Sequence, residues 1–261
     1  MDDKGYYGWW LPIDISVEGP RIDGMIDLLH WFMLVLFLGW GTFFVYTLWR
    51  FRAGANPRAD YKGVQAHFST WLEAGIAAFE VFLLVGLSIP LWADVKGEVP
   101  AEKDADVVMR VVAEQFAWNV HYPGEDGIFG RTDVNLVSQS NPLGIDSKDE
   151  AAKDDIATIN QMHFPVGKKI LVYLTSKDVI HSFMLNVMRV KQDAIPGMTI
   201  PVWFEAKQTG EFEISCAQLC GLGHYRMKGF FTVHDENGYK SWLGEQAKVG
   251  ASGGGGGGGY Y

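Results

Sequence analysis

Two cysteines, a histidine and a methionine fall within one short stretch, Cys216-Ala217-Gln218-Leu219-Cys220-Gly221-Leu222-Gly223-His224-Tyr225-Arg226-Met227, at the spacing C-x3-C-x3-H-x2-M. A single loop can therefore bring two thiolates, an imidazole and a thioether to one point. Soft sulfur combined with imidazole suits copper. A second imidazole has to come from elsewhere, and His181, at the end of a strand-like run in Ser176-Lys177-Asp178-Val179-Ile180-His181-Ser182-Phe183, is the candidate. Two other chemistries use the same residues. Paired cysteines in an exported domain form disulfides, and a Cys2His2 set binds structural zinc, which would leave the Met227 thioether unused. Spacing alone keeps all three open.

Three ordered motifs narrow the choice. The sulfur-rich stretch, the segment Thr175 to Phe183 and the segment Val190-Lys191-Gln192-Asp193-Ala194-Ile195-Pro196-Gly197 together resemble subunit II of the haem-copper cytochrome c oxidases, over about residues 24–244. That resemblance implies a dinuclear copper centre, CuA, bridged by Cys216 and Cys220. His181 and His224 would each bind one copper, and Met227 and the backbone carbonyl of Gln218 would be weak axial ligands. Asp178 and Ser182 stand where they can either orient His181 or simply form its turn.

The sequence departs from the family pattern in three places. Gln218 replaces a glutamate whose side chain holds magnesium in the family, and a neutral amide is a poorer ligand for a hard cation, which weakens the case for that magnesium. In Glu114-Gln115-Phe116-Ala117-Trp118, Phe116 stands where the family has the tryptophan that receives the electron, so Phe116, Trp118 and Tyr122 are the candidates for electron uptake. Met198 follows Pro196-Gly197 where arginine is usual.

Elements able to position such a site can be read around it. Two apolar runs, about 25–49 and 71–92, are each long enough for a hydrocarbon core of roughly 30 Å, and tryptophans near their ends suit the interfaces. Between them, Arg50, Arg52, Arg58 and Lys62 form a basic loop that the positive-inside rule assigns to the cytoplasm. Both termini and the copper loop are then expected on the periplasmic side of a bacterial-type inner membrane. Glu73 and Glu80 lie in the second run, two helical turns apart. Carboxylates at membrane depth usually face protein or water. They join Lys191 and Asp193 as candidates for a proton path, Glu73 and the latter pair by resemblance.

After Pro100, short runs rich in branched and aromatic residues at 107–113, 169–174, 183–187, 199–204, 211–215 and 229–233 are parted by Gly, Pro and Asp turns, which predicts a β-sandwich or barrel. The resemblance makes it a cupredoxin-like Greek key. The expected organisation is an α+β membrane protein with an outer segment at 1–24, a two-helix transmembrane hairpin at 25–93, a periplasmic copper domain at 94–249 and a flexible glycine-rich tail at 250–261. A polar insertion at about 138–160 reads as a surface loop or a short amphipathic helix. His121, His163 and His234 have no partner at ligand spacing and read as surface or interface residues.

Lys and Arg number 22 against 31 Asp and Glu, a net charge of −9, which argues against nucleic acid and favours a basic protein partner. No Cys-x-x-Cys-His is present, so a c-type haem would belong to a separate donor. The function implied is the electron-accepting subunit of a proton-pumping terminal oxidase. It would take electrons from a c-type cytochrome, alone or in a supercomplex, and pass them to haem in subunit I, with subunit III alongside. The haems would lie in subunit I, not in this chain. A CuA-bearing nitric oxide reductase subunit is the alternative. A quinol-oxidising relative is disfavoured by the retained copper ligands.

Overall fold

Alternation of apolar and polar side chains at period two builds most of the chain beyond residue 99. In β3 (Val107–Glu114), Met109, Val111 and Ala113 are fully buried while Arg110 and Val112 point away, as a strand with one face on a core requires. The structure is a computed structural model that describes residues 6–7, 11–58, 60–63 and 65–251. It divides into two units, residues 1–19 with 99–261 and residues 20–98.

The first unit is a sandwich of two five-stranded sheets. A short ladder of β1 (Tyr6–Tyr7) and β2 (Leu11–Pro12) precedes it. One sheet has the order β10 (Ile200–Glu205), β7 (Lys169–Ser176), β3, β4 (Ala117–Tyr122), β5 (Ile156–Ile159). The other runs β6 (Gln161–Pro165), β12 (Lys228–His234), β11 (Gly210–Cys216), β8 (His181–Leu185), β9 (Val190–Ala194). Trp118, Phe164, Phe183 and Phe231 fill the space between them. Each such side chain contributes about 1.5–3 kcal/mol by leaving water. The expected β-sandwich is therefore present.

Four strands of the two five-stranded sheets, β4, β5, β6 and β9, went unanticipated, and β4 shows why. Trp118, Val120 and Tyr122 face the core, but Asn119 and His121 on the other face are also buried. His121 Nε2 meets Asp155 of the polar insertion at 2.7 Å and the Phe129 ring packs on it edge-on at 5.0 Å, while the Asn119 amide donates to Val112 O and Glu114 on β3. The insertion holds no amphipathic α-helix. It folds as loops, a single 3-10 turn at Glu150–Lys153 and then β5.

Residues 11–18, expected to stand outside the β domain, are part of it. Ile15 is fully buried, its N–H donates to Val187 O at 2.9 Å, and its carbonyl accepts from Lys207 N at 2.7 Å. It thus joins the turn after β8 to the end of β10. The Asp14 carboxylate takes Lys207 Nζ at 2.6 Å, and the Arg189 guanidinium donates to Pro12 O at 2.7 Å. At the other end, helix α3 (Glu236–Ala251) packs Tyr239, Trp242 and Leu243 against the core. It includes residues 250 and 251 of the expected tail, whose remainder, 252–261, lies outside the described residues, as do residues 1–5 and 8–10.

The second unit is a pair of long helices, α1 (Gly19–Arg50) and α2 (Phe68–Gly97), both long and apolar enough to cross a membrane. At 1.5 Å per residue, 30 residues span about 45 Å. Their apolar side chains are exposed around most of the circumference, among them Val35, Phe37, Phe44 and Val85, the pattern of helices meant for lipid or partner helices. Leu83–Ser88 forms a π-helical turn just before Pro90, whose ring and missing N–H disturb the preceding turn. Ser88 Oγ donates to Leu83 O at 3.1 Å within it. The helices touch through Phe32 and Phe79, ring centroids 4.9 Å apart, and through Arg21 and Asp94 at 2.6 Å.

Candidate metal centre

Strand pairing sets the site. β11 and β8 are antiparallel neighbours with Cys216 opposite Phe183, so Cys216, ending one strand, comes to the same edge as His181, beginning the other. A polar turn delivers His181: Ser176 Oγ donates to Val179 O at 2.6 Å, and Val179 N donates to Asp178 Oδ1 at 2.7 Å. The loop 217–227 is closed by Cys216 N to Met227 O at 3.3 Å and anchored by Ala217 N to Ser182 O at 2.9 Å. A 3-10 turn at His224–Arg226 then feeds β12.

Two glycines let this loop lie flat on its support. Gly221 has φ +133°, and a side chain there would meet Gln115 Nε2 at 2.6 Å. A Cβ on Gly223 would come within 2.4 Å of the Phe116 ring. A larger residue at Gly223 would push the sulfur loop off the Phe116 ring, and one at Gly221 would displace the Gln115 amide.

The donor atoms form a chain with the sulfurs at its centre. Cys216 Sγ and Cys220 Sγ are 3.8 Å apart, far beyond the ~2.0 Å of a disulfide; both cysteines are free. His181 Nδ1 lies 3.9 Å from Cys216 Sγ, and His224 Nδ1 lies 3.6 Å from Cys220 Sγ. Met227 Sδ is 3.6 Å from Cys220 Sγ, and the Gln218 carbonyl is 3.2 Å from Cys216 Sγ. Each sulfur thus has one imidazole and one weak donor beside it. His181, Cys220 and Met227 are buried, and Cys216 and His224 are partly so.

Two thiol sulfurs with four further donors beside them, six in all, exceed what one tetrahedral zinc takes. Softness of the set and its two-sided symmetry suit copper. His181, Cys216 and Cys220 also form the compact metal-capable group among the described residues.

Surrounding groups fix the donors. Asp178 Oδ1 accepts from His181 Nε2 at 2.9 Å. An ionised carboxylate is an acceptor only, so the proton sits on Nε2 and Nδ1 keeps its lone pair towards the sulfurs. Burial raises the Asp178 carboxyl, but hydrogen bonds from His181, Gln115 N and Val179 N outweigh it and hold the group below its ordinary value. Burial, followed by the neighbouring Cys216, pushes the Cys220 thiol up to about 11, so a metal must displace its proton. Ser182, the other residue considered beside His181, has a buried Oγ with no hydrogen-bond partner among the described residues.

The aromatic candidates separate. Phe116 is half-buried beneath the glycines of the loop. Trp118 is sealed in the core with 0% exposure, its ring edge-on to His181 at 6.2 Å and to Phe183 at 5.5 Å. Tyr122 is buried too, its hydroxyl accepting from His163 N at 2.7 Å. Neither Trp118 nor Tyr122 has a surface for a donor protein to touch, which corrects the expectation that they could serve as contacts. The exposed large apolar and aromatic residues at the site are Leu219, Leu222 and Tyr225 on the sulfur loop and Val179 and Ile180 on the histidine turn, none of which the motifs singled out.

The proton-path candidates are scattered. Lys191 and Asp193 lie on the outward face of edge strand β9, Asp193 opposite Ser182. Glu73 lines a cleft of about 870 Å3 between α1 and α2, with Phe32, Trp40, Phe43 and Trp71. Glu80 is exposed on α2. Of the histidines expected at the surface, His121 is buried with Nε2 2.7 Å from Asp155, and His163 and His234 are partly buried, His163 Nδ1 meeting His234 Nε2 at 2.9 Å. Pairing of β6 with β12 puts His163 opposite Thr232, two positions from His234, a register no local spacing reveals.

Comparison with known proteins places this geometry in context. The family described as cytochrome C oxidase subunit II, periplasmic domain, matches residues 107–231. The alternative cytochrome c oxidase subunit 2 of Bradyrhizobium diazoefficiens is 33% identical over 239 residues, 91% of this chain and 84% of that protein. Cytochrome c oxidase subunit 2 of Cereibacter sphaeroides is 32% identical over 256 residues, covering 88% and 80%. The crystal structure of the periplasmic domain of cytochrome oxidase subunit II from Bradyrhizobium japonicum aligns with 32% identity and a TM-score of 0.42, over 58% of this chain and 98% of that one.

Proposed function

We propose, for a chain that belongs to the cytochrome c oxidase subunit II family, that it is the electron-accepting subunit of a haem-copper terminal oxidase with a CuA centre at Cys216, Cys220, His181, His224, Met227 and the Gln218 carbonyl. Electrons would arrive from a c-type cytochrome and leave to haem in subunit I, where oxygen is reduced to water and protons are pumped. The observation that carries this reading is the pairing of the donors: each cysteine sulfur has its own imidazole at 3.6–3.9 Å and its own weak donor at 3.2–3.6 Å.

These residues would hold a copper pair, which when bound would supply a one-electron carrier. The chain's part is to keep that cage rigid. Asp178 locks the His181 tautomer, the β8–β11 ladder fixes the spacing of His181 and Cys216, and Met227 is buried against Cys220. The exposed apolar side chains of the two loops would exclude water where a partner docks. Tyr225 lies on that surface and Phe116 beneath its glycines, and Trp118, edge-on to His181, would act from inside.

The chain leaves the β unit at residue 19 and rejoins it at residue 99, as a two-span hairpin with both ends on one side requires. With the basic loop inside, the β unit would be periplasmic. Glu73 would stand at the mouth of a proton path into subunit I. Glu80, Lys191 and Asp193 would contribute at its interfaces, with subunit III or a supercomplex completing the assembly. Magnesium at Gln218 is not part of this reading.

Metal analysis with optical and paramagnetic resonance spectra of the whole chain tests it. Two coppers per chain, with hyperfine structure from a shared electron, are expected; zinc, or a Cys216–Cys220 disulfide in the mature complex, refutes it. Turnover with a basic soluble cytochrome c should fall as ionic strength rises.

A further inference from the structure

The two loops that carry the donor atoms come from opposite ends of the sequence pattern, and something must hold them together across the open edge of the sandwich. His181 begins β8 but is delivered by the turn that follows β7, in the other sheet. The sulfur loop joins β11 to β12. The β3–β4 turn lies against both. Its Gln115 N–H donates to Asp178 Oδ2 at 2.7 Å, while the side-chain amide of the same residue donates to Cys220 O at 2.6 Å. The other Asp178 oxygen accepts from His181 Nε2 at 2.9 Å. One residue therefore reaches a sulfur donor's own backbone on one side and, through Asp178, an imidazole donor on the other.

We propose that Gln115 is a positioning residue for the metal centre, a strut that sets the separation of the Cys220 and His181 donors. It rests on the reading of this site as a copper centre, and it concerns this chain's own geometry. Three features support it. The partner is the carbonyl of Cys220 itself, so the bond fixes the backbone from which that thiol projects. The strut's own footing is firm: Lys177 N donates to Ala113 O at 3.0 Å, and Lys177 Nζ meets Glu114 at 2.5 Å, binding the β3–β4 turn to the histidine turn. Finally, Gly221 is bare where a side chain would strike Gln115 Nε2, so the loop is shaped around this amide. A centre that must change little in geometry on reduction needs its donors held by their neighbours as well as by the metal.

Two whole-chain variants in detergent test this. Gln115→Glu keeps the length and loses the donor; Gln115→Ala removes the side chain. A single bond near the surface is a small part of the unit's stability, so both are expected to fold with near-normal melting. In the copper-free, reduced protein, alkylation of Cys220, followed by mass spectrometry, should be several-fold faster in both variants, because the loop opens more readily. In the copper-loaded protein, loss of copper to a chelator should be about 10–100-fold easier, with altered hyperfine splitting. Combining Gln115→Glu with Asp178→Ala should give less than the sum of the two single effects, since both break one strut. Wild-type alkylation and copper loss in both variants overturn the proposal, as does strict additivity in the double variant. A wild-type chain that holds zinc or no metal would instead refute the copper reading, while the alkylation arm would still report on Gln115.

Discussion

The molecule holds two pairs of histidines close in space, and only one pair is arranged for a metal. At the sulfur loop, His181 and His224 each turn a ring nitrogen towards a cysteine sulfur. Near the C-terminal helix, His163 and His234 turn towards each other, Nδ1 to Nε2 at 2.9 Å, and Trp242 stacks on His163 with centroids 4.4 Å apart. Here the imidazoles satisfy one another under an aromatic lid, and burial, then the neighbouring His234, pushes His163 down to about 4. The difference teaches that proximity of imidazoles does not make a centre. What makes one is a soft anion between them and a carboxylate that fixes which nitrogen is free.

The contrast can be broken most completely by Cys216→Ser, which should abolish the paired-copper spectrum, whereas His234→Gln should leave copper content unchanged; metal analysis of both checks this. Next in size, Ile15→Ala should destabilise the β unit by about 2–5 kcal/mol through the cavity it leaves. Thermal melting would show it, while the copper spectrum of the folded protein stays normal, separating stability from ligation. For the same reason a fragment starting near residue 101 should melt lower than one that keeps residues 11–18. Asp178→Asn should weaken copper by about 10–100-fold without affecting the His163–His234 pair, as chelator competition would measure. Met227→Leu should keep both coppers and shift the optical spectrum and potential.

The smallest effect belongs to the second pair. A histidine whose folded value is depressed stabilises the fold above its unfolded value and loses that contribution as pH falls. The window here runs from the ordinary 6.5 down to about 4. His163→Gln should flatten the melting temperature across that window and leave the copper spectrum at neutral pH untouched.

Much of the site was legible because its chemistry is local. Cys216, Cys220, His224 and Met227 share one loop, and hydropathy over about 20 residues suffices to mark the spans. The β-sandwich was legible from alternation, but β4 was obscured, because Asn119 and His121 look solvent-facing until β3 binds the one and the insertion's Asp155 the other. Ile15 fell in the segment read as lying outside the β domain and is instead fully buried in its core. Phe116 was anticipated as an aromatic surface and is also the floor on which Gly223 rests.

Residue types and their short spacings thus determined, by themselves, the sulfur loop, the hairpin and the strand-rich domain, since each follows from patterns within a few positions, while the full donor set with His181 came from the family resemblance. Tertiary structure alone decided which histidines face sulfur and which face each other, that Asp178 orients His181, and that Gln115 reaches Cys220, 105 positions away. Those outcomes depend on strand register and sheet pairing between distant segments. No local preference encodes them, because they are set only when the two sheets close on a common core.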